Sequence, residues 1–108
     1  MQPVKSRCYT AHMPVPPKHL RDLYELFLAI ETPKEAKNLL ADILTPQELE
    51  AIAERWQEIQ LLAAGLPQRE VAKRLGISIA KTSRGSRMLQ YGNGGFLHFL
   101  KKLGKKIT

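Results

Sequence analysis

The stretch LPQREVAKRLGISIAKTSRGSRML, Leu66 to Leu89, reads as a short helix, a turn at Gly76 and a second helix. Gln68, Arg69 and Glu70 open the first helix, and Val71, Ala72 and Leu75 form its inward face. Ala72 is small enough to let the second helix cross closely. Gly76 stands where the chain must leave the helix, a position that favours a residue tolerant of positive φ. Ile77 plugs the turn, and the Ser78 hydroxyl can cap the next helix, which predicts a second helix over Ser78 to Leu89. Two helices joined by a tight turn at about 90–120° form a helix-turn-helix, a motif that places its second helix in the DNA major groove. A purely structural helical hairpin carries the same pattern, so the surrounding charge has to separate the two readings.

That charge is segregated. The 108-residue chain has a net charge of +7. Lys5, Arg7, Lys18 and Arg21 give residues 1–21 a charge of +4 with no acid. Residues 22–65 carry nine acids against Lys34, Lys37 and Arg55, or −6. Residues 66–108 carry ten basic side chains against Glu70 alone, or +9. The basic charge therefore travels with the helix-turn-helix and points to a polyanionic partner, because phosphate contacts dominate nucleic-acid affinity. Lys101, Lys102, Lys105 and Lys106 read equally well as a solvated face. Arg69, Lys73, Lys81, Arg84 and Arg87 share the motif itself.

Composition narrows the classes further. Apolar residues make up 44% of the chain, and no apolar run approaches the ~20 residues that cross a bilayer, so no membrane partner is expected. Lys5 and Arg7 are not followed by the apolar stretch of a secretory signal. Cys8 has no second cysteine to pair with, which fits a reducing cytoplasm. His12, His19 and His98 are scattered, so no metal site is expected. No Ser/His/Asp or Cys/His arrangement and no phosphate loop occurs. Gly92 to Gly95 lacks the preceding strand and the lysine of a phosphate cradle. An enzyme is not expected.

Pro3, Pro14, Pro16 and Pro17 mark residues 1–17 as a flexible basic arm, and the helical domain is expected over 18–108. Leu20, Leu23, Tyr24, Phe27 and Leu28 recur as one stripe of a first helix, with Leu26 and Ile30 off it. A helix apolar on more than one face in so small a chain implies cover by a partner subunit. Thr32-Pro33-Lys34-Glu35 and Thr45-Pro46-Gln47-Glu48 both read as capping boxes with proline at the first helical position. The helix after Thr45 carries Leu49, Ile52, Ala53, Trp56, Ile59 and Ala63 and ends at Gly65. Tyr91 to Gly95 breaks the chain, and Phe96 to Leu103 predicts a last helix. The total is six helices and no strand, an all-α class.

The chain resembles the Trp repressor family on Leu44-Thr45-Pro46, Gln68-Arg69-Glu70, Ile79-Ala80, Ser83-Arg84-Gly85-Ser86 and Leu89, over roughly residues 18–103. The resemblance implies a six-helix subunit intertwined with a second copy as a homodimer. It implies a repressor whose reading heads are positioned by L-tryptophan, a small-molecule corepressor, with no other cofactor. Arg55 and Arg84 are then the two arginines that sandwich the indole ring, a contact worth roughly 0.5–2 kcal/mol. Arg84 and Thr45 would hold the carboxylate, and Gly85 would make room for the ring. Met88 and Lys81 stand where tryptophan-binding members carry small hydroxyl residues near the ligand. Thr82 fills a place that many such motifs give to an apolar residue. The turn at Leu66-Pro67 is one residue shorter, and Leu89 to Asn93 is similar to a sister branch of the family. For the residues taken alone, Thr45 is the cap of its helix, Arg55 an ion-pair partner of Glu58 or Glu48, and Arg84 a phosphate contact.

On the DNA side, the second helix of the motif would present Ile79, Ala80, Lys81, Ser83 and Arg84 to base edges, with Ile79 and Ala80 suited to a thymine methyl. Gln68, Arg69, Lys73 and Arg87 would hold phosphates, which fix register without reading sequence. The expected partner is a palindromic double-stranded operator. An effector-independent DNA-binding dimer and a helical protein-interaction module remain the competing readings.

Overall fold

The computed structural model describes residues 14–108, in which six helices and no strand are found. The chain divides into two compact units, one ending at Leu39 and one spanning Leu40–Thr108. Residues 1–13 of the expected arm lie outside the described residues.

The first unit holds α1 (Pro17–Leu28) and most of α2 (Pro33–Ile43). Pro17 occupies the first helical position of α1, where the N–H it lacks would have no partner in any case. Neither helix buries a single residue. Tyr24 is 57% exposed and Leu28 82% exposed, with Leu23, Leu26 and Phe27 also open to solvent. The apolar faces expected from the sequence are therefore present and uncovered. Ahead of α2, the Thr32 hydroxyl accepts from the Glu35 amide at 3.1 Å. The Glu35 carboxylate accepts from the Glu31 amide rather than from that of Thr32, so this box closes one residue early.

The second unit contains α3 (Pro46–Ala63), α4 (Gln68–Leu75), α5 (Ile79–Tyr91) and α6 (Gly95–Lys102). The α3 start is a reciprocal capping box. The Thr45 hydroxyl accepts from the Glu48 amide at 3.1 Å, and the Glu48 carboxylate accepts from the Thr45 amide at 2.8 Å. At its other end, Gly65 N–H donates to the Leu62 carbonyl and Leu66 N–H to that of Leu61, the paired bonds of a Schellman stop. Thr108 returns to the same end, where its amide and hydroxyl both donate to the Ala63 carbonyl at 2.8 and 3.0 Å.

The core forms where α3, α5 and α6 meet. Ile59, Ala63 and Leu100 are buried together, flanked by Trp56, Leu89 and Phe96. Trp56 and Phe96 stack with ring centroids 6.3 Å apart. Only the C-terminal half of α3 is covered, since its buried residues are Glu58, Ile59 and Ala63. Ile52 and Ala53 were expected on the same inward stripe but stay exposed. The last helix begins at Gly95 and ends at Lys102, one residue earlier than expected at each end.

Because Ile59 is fully buried, Ile59→Ala should destabilise the fold by about 2–5 kcal/mol. Loss of the α3 cap in Thr45→Ala should cost about 1 kcal/mol. Urea unfolding followed by circular dichroism measures both, and equal costs at the two positions would contradict this assignment of core and cap.

Candidate functional site

α4 and α5 form the helix-turn-helix. Gly76 adopts φ 66°, the left-handed region that its missing Cβ permits, and Ile77 N–H closes on the Ala72 carbonyl at 3.0 Å. Ser78 is the N-cap of α5, accepting from the Lys81 amide at 3.1 Å. The helix thus starts at Ile79, one residue after the expected start, and runs past Leu89 to Tyr91 because its first breaker is Gly92. Val71, Ala72 and Thr82 are buried in the angle between the helices. Thr82 serves as a core residue because its hydroxyl donates to the Ser78 carbonyl one turn back, at 3.0 Å. The Ser83 hydroxyl then ties the helices together by donating to Gln68 Oε1 at 2.8 Å.

The side chains singled out for DNA fall on exposed parts of these helices. Gln68, Arg69 and Lys73 are exposed on α4, and Ile79, Ala80, Lys81, Arg84 and Arg87 on α5, with Ser83 half-buried. The first turn of α5 holds no acid, so its positive dipole end is left unneutralised for an anion. Three ion pairs form among the described residues: Lys18–Asp22, Arg74–Glu70 and Lys81–Glu54. Arg69, Lys73, Arg84 and Arg87 take part in none of them. Lys81 sits 3.4 Å from Glu54 of α3, so in the free protein it bridges α5 to α3. The surface is thus an exposed, cationic helix pair held on a hydrophobic base, suited to lying along a phosphate backbone.

Behind this surface, α3 and α5 enclose a cavity of about 130 Å³. It brings together Arg55, Arg84, Gly85 and Met88, four of the five residues expected around a tryptophan ligand, and Lys81 joins them. Thr45 is not among its lining residues; it stays at the start of α3, where it caps that helix. Arg55 is exposed and pairs with neither Glu58 nor Glu48.

The sequence reading missed Glu58. Its side chain is only 4% exposed and lines this cavity. It rests against the bare face of Gly85, where a methyl group would collide with its carboxylate. No hydrogen bond or ion pair reaches that carboxylate among the described residues. The clue lay in the spacing. Ala51, Arg55, Glu58 and Leu62 recur at i, i+4, i+7 and i+11, one stripe of α3, and that stripe faces α5. Burial pushes the Glu58 carboxyl above its ordinary value of 4.5. The Arg55 charge pulls it back, the Glu54 charge raises it further, and the Lys81 charge lowers it.

A second, larger hollow of about 670 Å³ lies in the same unit. Leu49, Ile52, Trp56, Phe96, Phe99 and Leu103 give it an apolar lining.

The Glu58 shift sets a pH dependence. Below about pH 4.5 the carboxyl is protonated in folded and unfolded chains alike, and burial carries no ionisation penalty. As pH rises past that value the unfolded chain loses its proton first, so stability falls until the folded-state carboxyl has also ionised. Glu58→Gln stays neutral throughout. Thermal unfolding from pH 4 to pH 8 should therefore show wild type losing stability relative to Glu58→Gln as pH rises; parallel curves would contradict the burial.

Comparison with known proteins places this geometry. The family model described as Trp repressor protein matches residues 18–104. A Trp operon repressor homolog of Chlamydia caviae is 42% identical over 86 residues, covering 79% of this chain and 85% of that protein. A Trp operon repressor homolog of Mannheimia succiniciproducens is 41% identical over 78 residues, covering 71% and 76%. Among solved structures, a TrpR-like protein from Eubacterium eligens superposes with a TM-score of 0.80 at 25% identity, covering 86% of this chain and 96% of that one. A Trp repressor-type structure from Staphylococcus aureus gives 0.79 at 24% identity, covering 84% and 91%, and shares the fold. The α3–α5 helices and their helix-turn-helix thus bear out the likeness drawn from Thr45-Pro46 and Arg84-Gly85-Ser86: this chain belongs to the Trp repressor family of helical DNA-binding transcription regulators.

Proposed function

We propose that this protein is a dimeric, sequence-specific transcriptional repressor that binds a palindromic operator in the cytoplasm, with L-tryptophan as corepressor in the α3–α5 cavity. The observation that carries the reading is the set of exposed cations on α4 and α5 (Arg69, Lys73, Arg84 and Arg87), none of them in an ion pair among the described residues and all clustered on one motif. Ile79 and Ala80 lead α5 into the major groove, where their apolar side chains suit thymine methyl groups. Gln68, Arg69, Lys73 and Arg87 hold the backbone on either side.

Dimerisation is supported by the apolar surface left open in each unit. Leu23, Tyr24 and Phe27 of α1 are uncovered, and so is the 670 Å³ hollow beside Trp56 and Phe99. Apolar surface of this extent marks an interaction site. A second copy of the chain covers it and presents two α5 helices one DNA turn apart, about 34 Å. Corepressor binding between Arg55 and Arg84 then couples to DNA affinity with a typical strength of about 1–3 kcal/mol, reciprocal between the two ligands.

A second reading keeps the dimer and the DNA but dispenses with the effector. It is favoured by Glu58, whose carboxylate occupies the space over Gly85 that an indole ring would need. Operator affinity unchanged by tryptophan supports that reading.

Selection of bound duplexes from a random pool, with and without L-tryptophan, should return a palindrome. Affinity for it should fall by about 10³ between 50 and 200 mM salt if six or so phosphates are neutralised. Salt-insensitive binding, or a monomer on light scattering, contradicts the proposal. Calorimetry should register L-tryptophan binding that Arg84→Ala removes.

A further inference from the structure

The α3–α5 cavity contains a buried acid without a hydrogen-bond or ion-pair partner among the described residues. Glu58 is 4% exposed, lines the cavity, and has neither hydrogen bond nor ion pair among the described residues. Three cations share that cavity. Lys81 is held by Glu54 at 3.4 Å, and Arg55 and Arg84 are exposed on α3 and α5. Ala51, Ile59, Met88 and Phe96 complete the wall without contributing a donor side chain. A buried polar group normally finds a partner, because leaving one unmade forfeits the hydration it had in the unfolded chain. A buried carboxylate without a partner, in a cavity whose arginines are exposed, therefore has acceptor capacity left for a donor.

We infer that Glu58 is a specificity-determining residue: the effector is a small carboxylate-bearing molecule whose buried end carries an N–H donor, received by Glu58, while Arg55 and Arg84 take its carboxylate. This rests on the reading of the cavity as an effector site and names the chemistry that the site selects. The lining charges, three cations against Glu54 and Glu58, suit a ligand that is zwitterionic or singly anionic. Size sharpens the selection. An apolar cavity of about 150 Å³ takes up benzene, whereas this one measures about 130 Å³. A single small ring or an amino group enters with Glu58 where it stands. A two-ring indole enters only after Glu58 rotates off Gly85, and its ring N–H is the group that then meets the displaced carboxylate. Burial also pushes the Glu58 carboxyl upward, so a bound donor stabilises the ionised form that burial disfavours.

The test pairs ligands that differ in the buried donor. L-Tryptophan is compared with 1-methyl-L-tryptophan, and L-histidine with L-phenylalanine, by calorimetry on the full chain. Wild type should bind the donor-bearing member of at least one pair about tenfold or more tightly, the ratio that a hydrogen bond to a charged group supplies. Glu58→Gln, whose amide oxygen still accepts, should keep the preference. Glu58→Leu, with circular dichroism confirming the fold, should abolish or reverse it. Equal binding of both members by wild type overturns the inference, as does a preference that survives in Glu58→Leu. If wild type binds none of the four at millimolar concentration while Glu58→Leu binds them, Glu58 is a plug rather than a receptor, and the inference fails while the effector site stands. If neither protein binds any of the four, the effector reading itself falls. Should Glu58→Leu not fold, wild type and Glu58→Gln still decide the matter: loss of the preference in Glu58→Gln overturns it.

Discussion

The close approach of α5 to α3 at Gly85 is the constraint from which the remaining geometry follows. A Cβ at that position would meet the Glu58 carboxylate, the mobile end of a long side chain, so it is the bare face of Gly85 that lets Glu58 lie between the two helices where it does. With the helices in this place, Thr82 and Ile59 are sealed from water, and the α4–α5 pair is set on a fixed base. The same approach creates the cavity and traps Glu58 within it. The packing of the helices and the cavity between them are therefore one arrangement seen from its two sides.

Electrostatics divides the basic residues into two kinds. Arg74 is partnered by Glu70 within α4, and Lys81 by Glu54 across α5 and α3. Arg69, Lys73, Arg84 and Arg87 have no such partner among the described residues, and they give the helix pair its positive field. Exposed ion pairs contribute little stability, of order 0–1 kcal/mol. Their more useful effect is to spend the acids of this region internally. Glu70 is the single acid of residues 66–108, and it faces Arg74 rather than opposing an approaching phosphate.

Legibility in the sequence tracks the range of the interaction. The Thr45 box spans three residues, and the Gly76 turn and the Ser78 cap are equally local, so each could be read directly. The resemblance to the Trp repressor family was legible for a related reason, since it rests on contiguous residues such as Arg84-Gly85-Ser86. Helix ends depend on where the next breaking residue stands. α5 continues through Gln90 and Tyr91 because neither residue breaks a helix, and α6 starts at Gly95, which the glycine-rich pattern assigns to the preceding turn.

Taken alone, the order of residues determined an all-helical chain, its caps and turns, and a basic helix-turn-helix, because each depends on neighbours within a turn or two. Only the tertiary structure decided which part of each apolar stripe is buried. Ile52 and Ile59 lie two turns apart on α3, and only Ile59 is covered, because it packs against Leu100 of α6 whereas Ile52 lines the open apolar hollow. The fates of Glu58 and Lys81 were decided in the same way. A carboxylate one turn from an exposed arginine reads as a surface group, and it becomes a buried, unanswered acid when a helix 27 residues further on is laid across it. Burial is a property of what arrives from elsewhere in the chain, and periodicity cannot report it.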